Sequence, residues 1–208
     1  LHYRLYKKMP LDSTLTVRAL LDAVSTKEPA HSMDSYNITE LIKALQNDSQ
    51  TDANDLFRVE WAYLTLLNRY DGAEPKLLEK RLATEPDFFC EVIRLIYRSK
   101  HEDKGDEELD ESKAAIATNA WRLLQDWKRP PGLQEDGSFS TKDFESWLES
   151  VKEQCKKSGH FEVAMIKIGE VLLYCPADPQ WLWIDKAAAI ALNARDAEDM
   201  RRGFRTEV

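Results

Sequence analysis

The stretch SGHFEVAMIKIGEVLLYCPADP, residues 158–179, decides the fold of this chain. Gly159 permits a tight turn, and the small side chain of Ala164 lets two helices approach closely. Pro176 ends the second helix, because proline lacks the amide hydrogen that a continuing helix needs. Bulky apolar residues recur between them at helical spacing: Phe161, Ile168 and Val171. The stretch therefore predicts an antiparallel helix hairpin over residues 140–176.

This spacing resembles one degenerate tetratricopeptide repeat and covers about a sixth of the chain. The resemblance implies a first helix that begins near Glu145, with Leu148 and Val151 facing its partner helix. The chain departs from the family pattern at Lys152 and Cys155. The resemblance also implies a concave, peptide-binding face, which carries Glu149, Glu153, Lys156 and Trp183. An ordinary antiparallel helix pair is the alternative explanation of the same pattern.

Helical periodicity also dominates the rest of the chain, and no segment alternates between apolar and polar residues as a strand would. The run DLFRVEWAYLTLLNRY, residues 55–70, predicts a mostly buried central helix. We expect an all-α fold of about ten helices, stacked as antiparallel hairpins in a solenoid similar to tetratricopeptide domains. Among the tryptophans, we expect Trp61, Trp121 and Trp181 in the core.

Charge patterning suggests two subdomains separated by a loop. Residues 101–113, HEDKGDEELDESK, contain seven acidic residues and predict a solvated loop that leads into a helix start. Residues 1–100 then form an N-terminal helical subdomain, and residues 114–208 a C-terminal one that contains the predicted hairpin. The chain is expected to be a fragment of a larger protein.

Helix-start signals are frequent in this sequence. Asp12 or Ser13 is expected to cap one helix, Asn37 with Glu40 another, and Pro86 to open a third. The segment QEDGSFSTKDFESWL, residues 134–148, resembles the end of a calcium loop. A calcium loop that has glycine at its sixth position needs an oxygen ligand at its first, and that position here is Gly132. We interpret the segment as a turn at Asp136-Gly137, followed by a helix that Ser140 or Thr141 caps.

Composition excludes several classes of function. The net charge is −8 and the basic residues are scattered, so nucleic-acid binding is not expected. No apolar run approaches the length of a membrane helix and no leader is visible, so a cytoplasmic location without membrane association is expected. The three cysteines, Cys90, Cys155 and Cys175, lie in apolar helical patterns. We expect buried thiols in a reducing compartment rather than a disulfide.

No motif for catalysis stands out. The four histidines lack metal-ligand spacing, and no phosphate-binding loop occurs. His160 follows the turn glycine, at a position that varies in the repeat family. Glu60 lies beside Trp61, and we expect an exposed position or an ion pair with Arg58 or Arg94; the alternative is a buried carboxylate with a shifted pKa. We therefore predict no catalytic residue, no metal and no cofactor.

Several longer segments, RVEWAYLTLL, EPDFFCEVIRLIYRSK and ATNAWRLLQDWKRPPG, are similar to a C-terminal helical region of very large bacterial multidomain proteins with no assigned reaction. The sequence as a whole predicts a non-catalytic scaffold or interaction module, whose partner is a protein, a peptide or another domain of the same chain. The alternative is the regulatory arm of a large bacterial nucleotide-hydrolysing defence or signalling protein, with its chemistry elsewhere.

Overall fold

A computed structural model describes residues 2–7, 9–25, 35–67, 73–97, 99 and 111–175. This part of the chain is helical and contains no strand, although Leu133 and Phe139 form an isolated bridge. The all-α prediction is confirmed. The helices are α1 (His2–Tyr6), α2 (Ser13–Ser25), α3 (Ser35–Asn47), α4 (Ala53–Ala62), α5 (Lys76–Thr84), α6 (Pro86–Ile96), α7 (Glu111–Gln125), α8 (Thr141–Ser158) and α9 (Phe161–Leu172).

The chain divides into two compact units, Leu1–Leu78 and Glu79–Val208. Helix α6 belongs to the second unit, where it packs on α7 and α8. The sequence-based division placed α6 with the N-terminal residues and put the boundary in the acidic loop. Residues 101–110 of that loop lie outside the described residues, and the predicted helix start coincides with α7.

In the first unit, α2 packs on α3 and α4, and α1 packs on α3. Leu20, Leu41, Ile42 and Val59 have no exposed surface and form its core. The predicted cap at Asp12 is confirmed, because its carboxylate accepts a hydrogen bond from the Leu15 amide at 2.9 Å. The remaining predicted cap in this unit, Asn37 with Glu40, is wrong. Helix α3 already begins at Ser35, so both residues lie within the helix.

Helix α4 is shorter than predicted. Asp52 caps its first turn and Tyr63 ends it, so the predicted continuation through residues 63–67 is a turn. The Tyr63 hydroxyl donates to the Leu20 carbonyl oxygen at 2.8 Å, and Leu64 and Leu67 are buried in the turn. Within α4 only Val59 and Glu60 are buried, so the prediction of a mostly buried helix is wrong.

Helix α6 is the centre of the second unit and packs on α7, α8 and α9. It begins at Pro86 as predicted, because proline fits the first helical turn, where no amide hydrogen is needed. Its Phe89 contacts Trp127 and Trp147, with ring centroids 5.5 and 5.1 Å away. Among the tryptophans in the described ranges, these two are the buried ones. Trp61 and Trp121, which the sequence assigned to the core, are half-buried, and Trp181 lies outside the described residues.

Helices α8 and α9 form the predicted hairpin, and they pack against each other. Gly159 joins them in the left-handed conformation, with φ of +74°. Ala164, Ile168 and Val151 are fully or almost fully buried, as the spacing predicted, and Leu148 is half-buried. Helix α8 begins at Thr141 rather than near Glu145. Pro176 lies outside the described residues, so the repeat unit and the solenoid stay predictions.

The segment before α8 is a turn and a helix start, as interpreted from the sequence. Gly137 has a φ of +82°, and the Asp136 carboxylate accepts from the Ser138 amide at 2.9 Å. Ser140 then caps α8 by accepting a hydrogen bond from the Asp143 amide at 3.3 Å. The Asp136 carboxylate bonds within its own turn, and the Ser140 hydroxyl bonds to the first turn of α8. The segment is therefore a turn followed by a helix N-cap.

Candidate functional site

A cleft in the first unit presents exposed aromatic side chains. It has a volume of about 800 Å³ and lies among α1, the segment that joins α1 to α2, and α3. The residues that line it are Tyr6, Met9, Pro10, Leu11, Ser13, Tyr36, Asn37, Glu40, Ala44, Leu45, Asn47 and Asp48. Tyr6 is 75% exposed, Tyr36 66% and Met9 45%, while Leu45 is buried beneath them. Apolar side chains left in water around a concavity are typical of a binding surface.

Two carboxylates lie in this cleft, which from here on is called the α1–α3 cleft. Asp48 accepts hydrogen bonds from the Ser13 hydroxyl and from the Gln50 amide, and both hydrogen bonds lower the pKa of its carboxyl, with Ser13 having the larger effect. Glu40 pairs with Lys43 at 2.9 Å. The lining residues within the described part of the chain include no basic side chain. The wall of the cleft therefore combines apolar and polar side chains, and its charged groups are anionic.

Two basic residues, Arg4 on α1 and Lys7 directly after it, contact residues of the cleft without lining it. The Lys7 ammonium is 5.2 Å from the centre of the Tyr6 ring, and Arg4 donates to the Pro10 carbonyl oxygen at 3.2 Å. The Lys7 contact shows that the Tyr6 ring already attracts a cation in the free chain. Each of these basic residues thus contacts one lining residue, Tyr6 or Pro10.

The sequence did not identify this cleft. Tyr6 ends a five-residue helix that is too short to show an apolar stripe, and Met9 lies in the segment that follows this helix. Tyr36 is in the first turn of α3, whose buried residues are Thr39, Leu41, Ile42 and Leu45. Tyr36 is not one of these buried residues, which is a sign that its side chain is exposed. The sequence shows this only to a reader who already knows where α3 begins and which of its faces is buried.

The binding face predicted from the repeat resemblance is exposed, and its two carboxylates form ion pairs with lysines of the same helix. Glu149 contacts Lys152 and Glu153 contacts Lys157, both at 2.7 Å, and these lysines lower the pKa of the two carboxyls through hydrogen bonds and charge. Lys156 lies 5.2 Å from the centre of the Phe161 ring. The structure brings Glu149, Glu153 and Lys156 to one face of α8, four and three residues apart. Trp183 lies outside the described residues, so this face stays a prediction.

Glu60 is fully buried, which corrects the expectation of an exposed or ion-paired position. Burial raises the pKa of its carboxyl, and the surrounding hydrogen bonds oppose that rise. The carboxylate accepts from Gln46 Nε2 at 2.7 Å and from the amides of Leu77 and Leu78, both at 3.0 Å. Since these amides belong to the first turn of α5, Glu60 caps that helix from a distant part of the sequence.

Neither predicted arginine partner of Glu60 is one of these donors. Arg58 instead contacts Asp55 at 3.5 Å. The Glu60 carboxylate is fully engaged by the donors around it, so the arrangement is that of a structural cap. Its shifted pKa follows from burial in a core of the first unit.

His160 is buried between two partners. Its Nε2 lies 2.9 Å from the Tyr97 carbonyl oxygen and its Nδ1 lies 3.0 Å from the Ser158 hydroxyl. The carbonyl can only accept, so Nε2 carries the hydrogen and donates it. These bonds tie the turn between α8 and α9 to the end of α6, and His160 is structural.

The described residues contain no group of three or more histidine, cysteine, aspartate or glutamate side chains able to hold a metal ion. Among the helices in the described ranges, none has the length and apolar character needed to span a bilayer.

Comparisons with known proteins found no matching family model, no matching curated protein and no matching solved structure. The resemblance to a tetratricopeptide repeat and to bacterial multidomain proteins therefore stays a prediction.

Proposed function

We propose that this chain is a non-catalytic helical protein-interaction module, and that the α1–α3 cleft binds an extended peptide segment of a partner protein. The observation that carries the proposal is the group of exposed side chains Tyr6, Met9 and Tyr36 around the cleft of about 800 Å³. Two tyrosines give a large contact area at a low cost in conformational entropy, and their hydroxyls hydrogen-bond to a peptide backbone.

The chemistry of the cleft favours a peptide that combines an apolar anchor with a basic residue. An apolar or aromatic side chain of the partner would cover the exposed rings and the buried floor formed by Leu45. Asp48, like any aspartate with an ordinary or lowered pKa, is ionised at neutral pH, and it supplies an anionic contact for a lysine or arginine next to that anchor. Charge complementarity of this kind sets the register and specificity of binding more than its strength.

The face of α8 that carries Glu149, Glu153 and Lys156 is proposed as a second contact surface, with Trp183 as its predicted fourth residue. Its carboxylates pair with neighbouring lysines on the same helix. Exposed pairs of this kind are weak and screened by salt, so a partner's basic groups can displace the lysines. A cytoplasmic location remains part of the proposal.

The experiment that tests the cleft is selection of peptides from a random display library against the folded 208-residue chain. We expect the enriched sequences to pair an aromatic or large aliphatic residue with a nearby lysine or arginine. A selected peptide is then titrated against wild type, against a Tyr6→Ala/Tyr36→Ala double variant and against Tyr3→Ala.

Tyr3 is the matched control, because it is 67% exposed on the same helix as Tyr6 but does not line the cleft. The double variant should weaken binding at least tenfold, while Tyr3→Ala should change it less than threefold. If the double variant and Tyr3→Ala lose peptide affinity equally, or if both bind the peptide as tightly as wild type, the cleft is not the binding site. Enrichment of acidic peptides would contradict its predicted partner chemistry.

A further inference from the structure

Two of the three cysteines face each other inside the second unit. Cys90 lies on α6 and Cys155 on α8, and these helices pack directly against each other. The two sulfur atoms are 3.5 Å apart. Both side chains are buried, with 1% of Cys90 and none of Cys155 exposed. The residues are far apart in the sequence, so only the fold makes them neighbours.

We propose that Cys90 and Cys155 form an oxidisable dithiol site, which a small peroxide converts into an intramolecular disulfide between α6 and α8. A disulfide needs its sulfurs about 2.05 Å apart, so the two atoms must approach by roughly 1.5 Å. A moderate rotation of each side chain about its Cα–Cβ bond divides that movement between them.

The surroundings of the pair assign the two sulfurs different roles. The pKa of Cys90 is lowered, first because its sulfur accepts a hydrogen bond from the Cys155 thiol; burial opposes this shift, the positive charge of Arg94 adds to it, and the negative charge of Asp87 opposes it. Arg94 Nε donates to the Cys90 carbonyl oxygen at 3.0 Å, which holds its side chain beside the site. The pKa of Cys155 is raised by the same hydrogen bond and by burial. Cys90 is thus the attacking thiolate, and Cys155 is the thiol that completes the bond.

The reaction balances with hydrogen peroxide as the oxidant. The Cys90 thiolate attacks one peroxide oxygen, the O–O bond breaks, and the departing hydroxide takes a proton to form water, which leaves a sulfenic acid on Cys90. The sulfur of Cys155 then attacks that sulfenic sulfur. The S–O bond breaks, the Cys155 proton and the hydroxyl group leave as a second water, and the disulfide forms. The dithiol loses two electrons in total, and the peroxide gains them.

Burial restricts the oxidant to a small molecule. Because almost no surface of either side chain is exposed, a protein oxidant or glutathione disulfide cannot touch the sulfurs in the folded chain. Hydrogen peroxide is close to water in size and enters through local openings of the structure. The site should therefore respond to peroxide and remain unreactive toward bulky disulfides.

Cys175 provides the matched control. It is also buried, and burial raises its pKa to about 12, so it is a poor nucleophile at neutral pH. With three cysteines in the chain, Cys175 is the one left over when Cys90 pairs with Cys155.

The test exposes the folded, fully reduced 208-residue chain to hydrogen peroxide, removes the peroxide with catalase, and then alkylates the protein in denaturant. We expect a monomer that has lost two hydrogen atoms in mass and retains one alkylatable thiol. Peptide mapping should join the fragments that contain Cys90 and Cys155, and dithiothreitol should restore all thiols. The same treatment with glutathione disulfide should leave all thiols free.

A Cys175→Ala variant should oxidise as wild type does, whereas Cys90→Ala and Cys155→Ala should form no intramolecular disulfide. If either of the latter two fails to fold, wild type and Cys175→Ala still decide the result. The proposal is overturned if the folded wild type keeps all its thiols at peroxide levels that oxidise the denatured chain. It is equally overturned if the mapped bond contains Cys175, or if the disulfides formed join separate molecules.

Discussion

Replacing Glu60 by alanine tests whether this buried carboxylate holds the first unit together. The change removes the acceptor for Gln46 Nε2 and for the amides of Leu77 and Leu78. A hydrogen bond to a charged group contributes about 1.5–3 kcal/mol, and a buried donor left without a partner costs about 1–3 kcal/mol. Leu77 is half-buried, so water can reach part of the vacated site and reduce the loss. We expect the free energy of unfolding to fall by about 2–4 kcal/mol.

The assay is urea unfolding followed by circular dichroism, together with amide hydrogen exchange. With a urea dependence of about 2 kcal/mol per molar, the middle of the usual range, the expected loss lowers the midpoint by about 1–2 M. Hydrogen exchange at Leu77 and Leu78 should accelerate, because α5 loses its cap while the helix itself remains. The local measurement distinguishes loss of the cap from general instability.

Glu74→Ala is the matched control, because its side chain is exposed and only its backbone carbonyl accepts from Gln46. It should change the free energy of unfolding by less than about 0.5 kcal/mol. A Glu60→Ala variant as stable as this control, with unchanged exchange at Leu77 and Leu78, would refute the capping role.

The remaining predictions concern pH and the helix starts. Because the folded pKa of Glu60 is raised above its ordinary value of 4.5, the contribution of this carboxyl to stability is largest below pH 4.5 and is lost as pH rises through the folded pKa; urea titrations should therefore show a larger gap between wild type and Glu60→Ala at about pH 4 than at pH 7. Gly132→Ala should lower the thermal midpoint more than Gly137→Ala: both have positive φ, but a Cβ on Gly132 would lie 2.7 Å from the Ser140 carbonyl oxygen, whereas nothing lies within 4 Å at Gly137. Equal midpoints would contradict that steric argument. Ser140→Ala should cost about 1 kcal/mol in chemical unfolding through loss of the α8 cap, and Ser140→Asp, which keeps an acceptor, should recover most of it.

Local signals in the sequence predicted the helix boundaries that depend on local chemistry. Pro86, Ser140 and Gly159 each act within one turn of their own position, and each lies where it was expected. The hairpin of α8 and α9 follows in the same way. Its inward residues repeat at helical spacing around a glycine, so local and tertiary preferences agree.

Features set by tertiary contacts were not predictable. The end of α4 coincides with the bond between the Tyr63 hydroxyl and the Leu20 carbonyl, 43 residues apart, and no local signal encodes it. Helical spacing does not show which of several tryptophans a neighbouring helix will cover. Trp127 and Trp147 are buried, whereas Trp61 and Trp121 are not.

The candidate site was the least predictable part, because a cleft requires the relative placement of two helices. Nothing around Tyr6 or Tyr36 alone distinguishes a binding residue from an ordinary surface tyrosine. The sequence allowed Glu60 to be either buried or exposed. Its burial depends on α5, whose Leu78 amide donates to the carboxylate, and the sequence does not show where α5 packs.

The most direct test of the proposed function is to locate a bound peptide on the folded chain. Benzoylphenylalanine is placed at Tyr6, Tyr36 or Tyr3 in separate preparations, each is irradiated with a library-selected peptide, and the crosslinked fraction is measured by mass. We predict efficient crosslinking from positions 6 and 36 and little from position 3, with competition by the unlabelled peptide. Crosslinking that is as strong from position 3, or that is absent from both cleft positions while the peptide still binds, would contradict the assignment of the α1–α3 cleft as the binding surface.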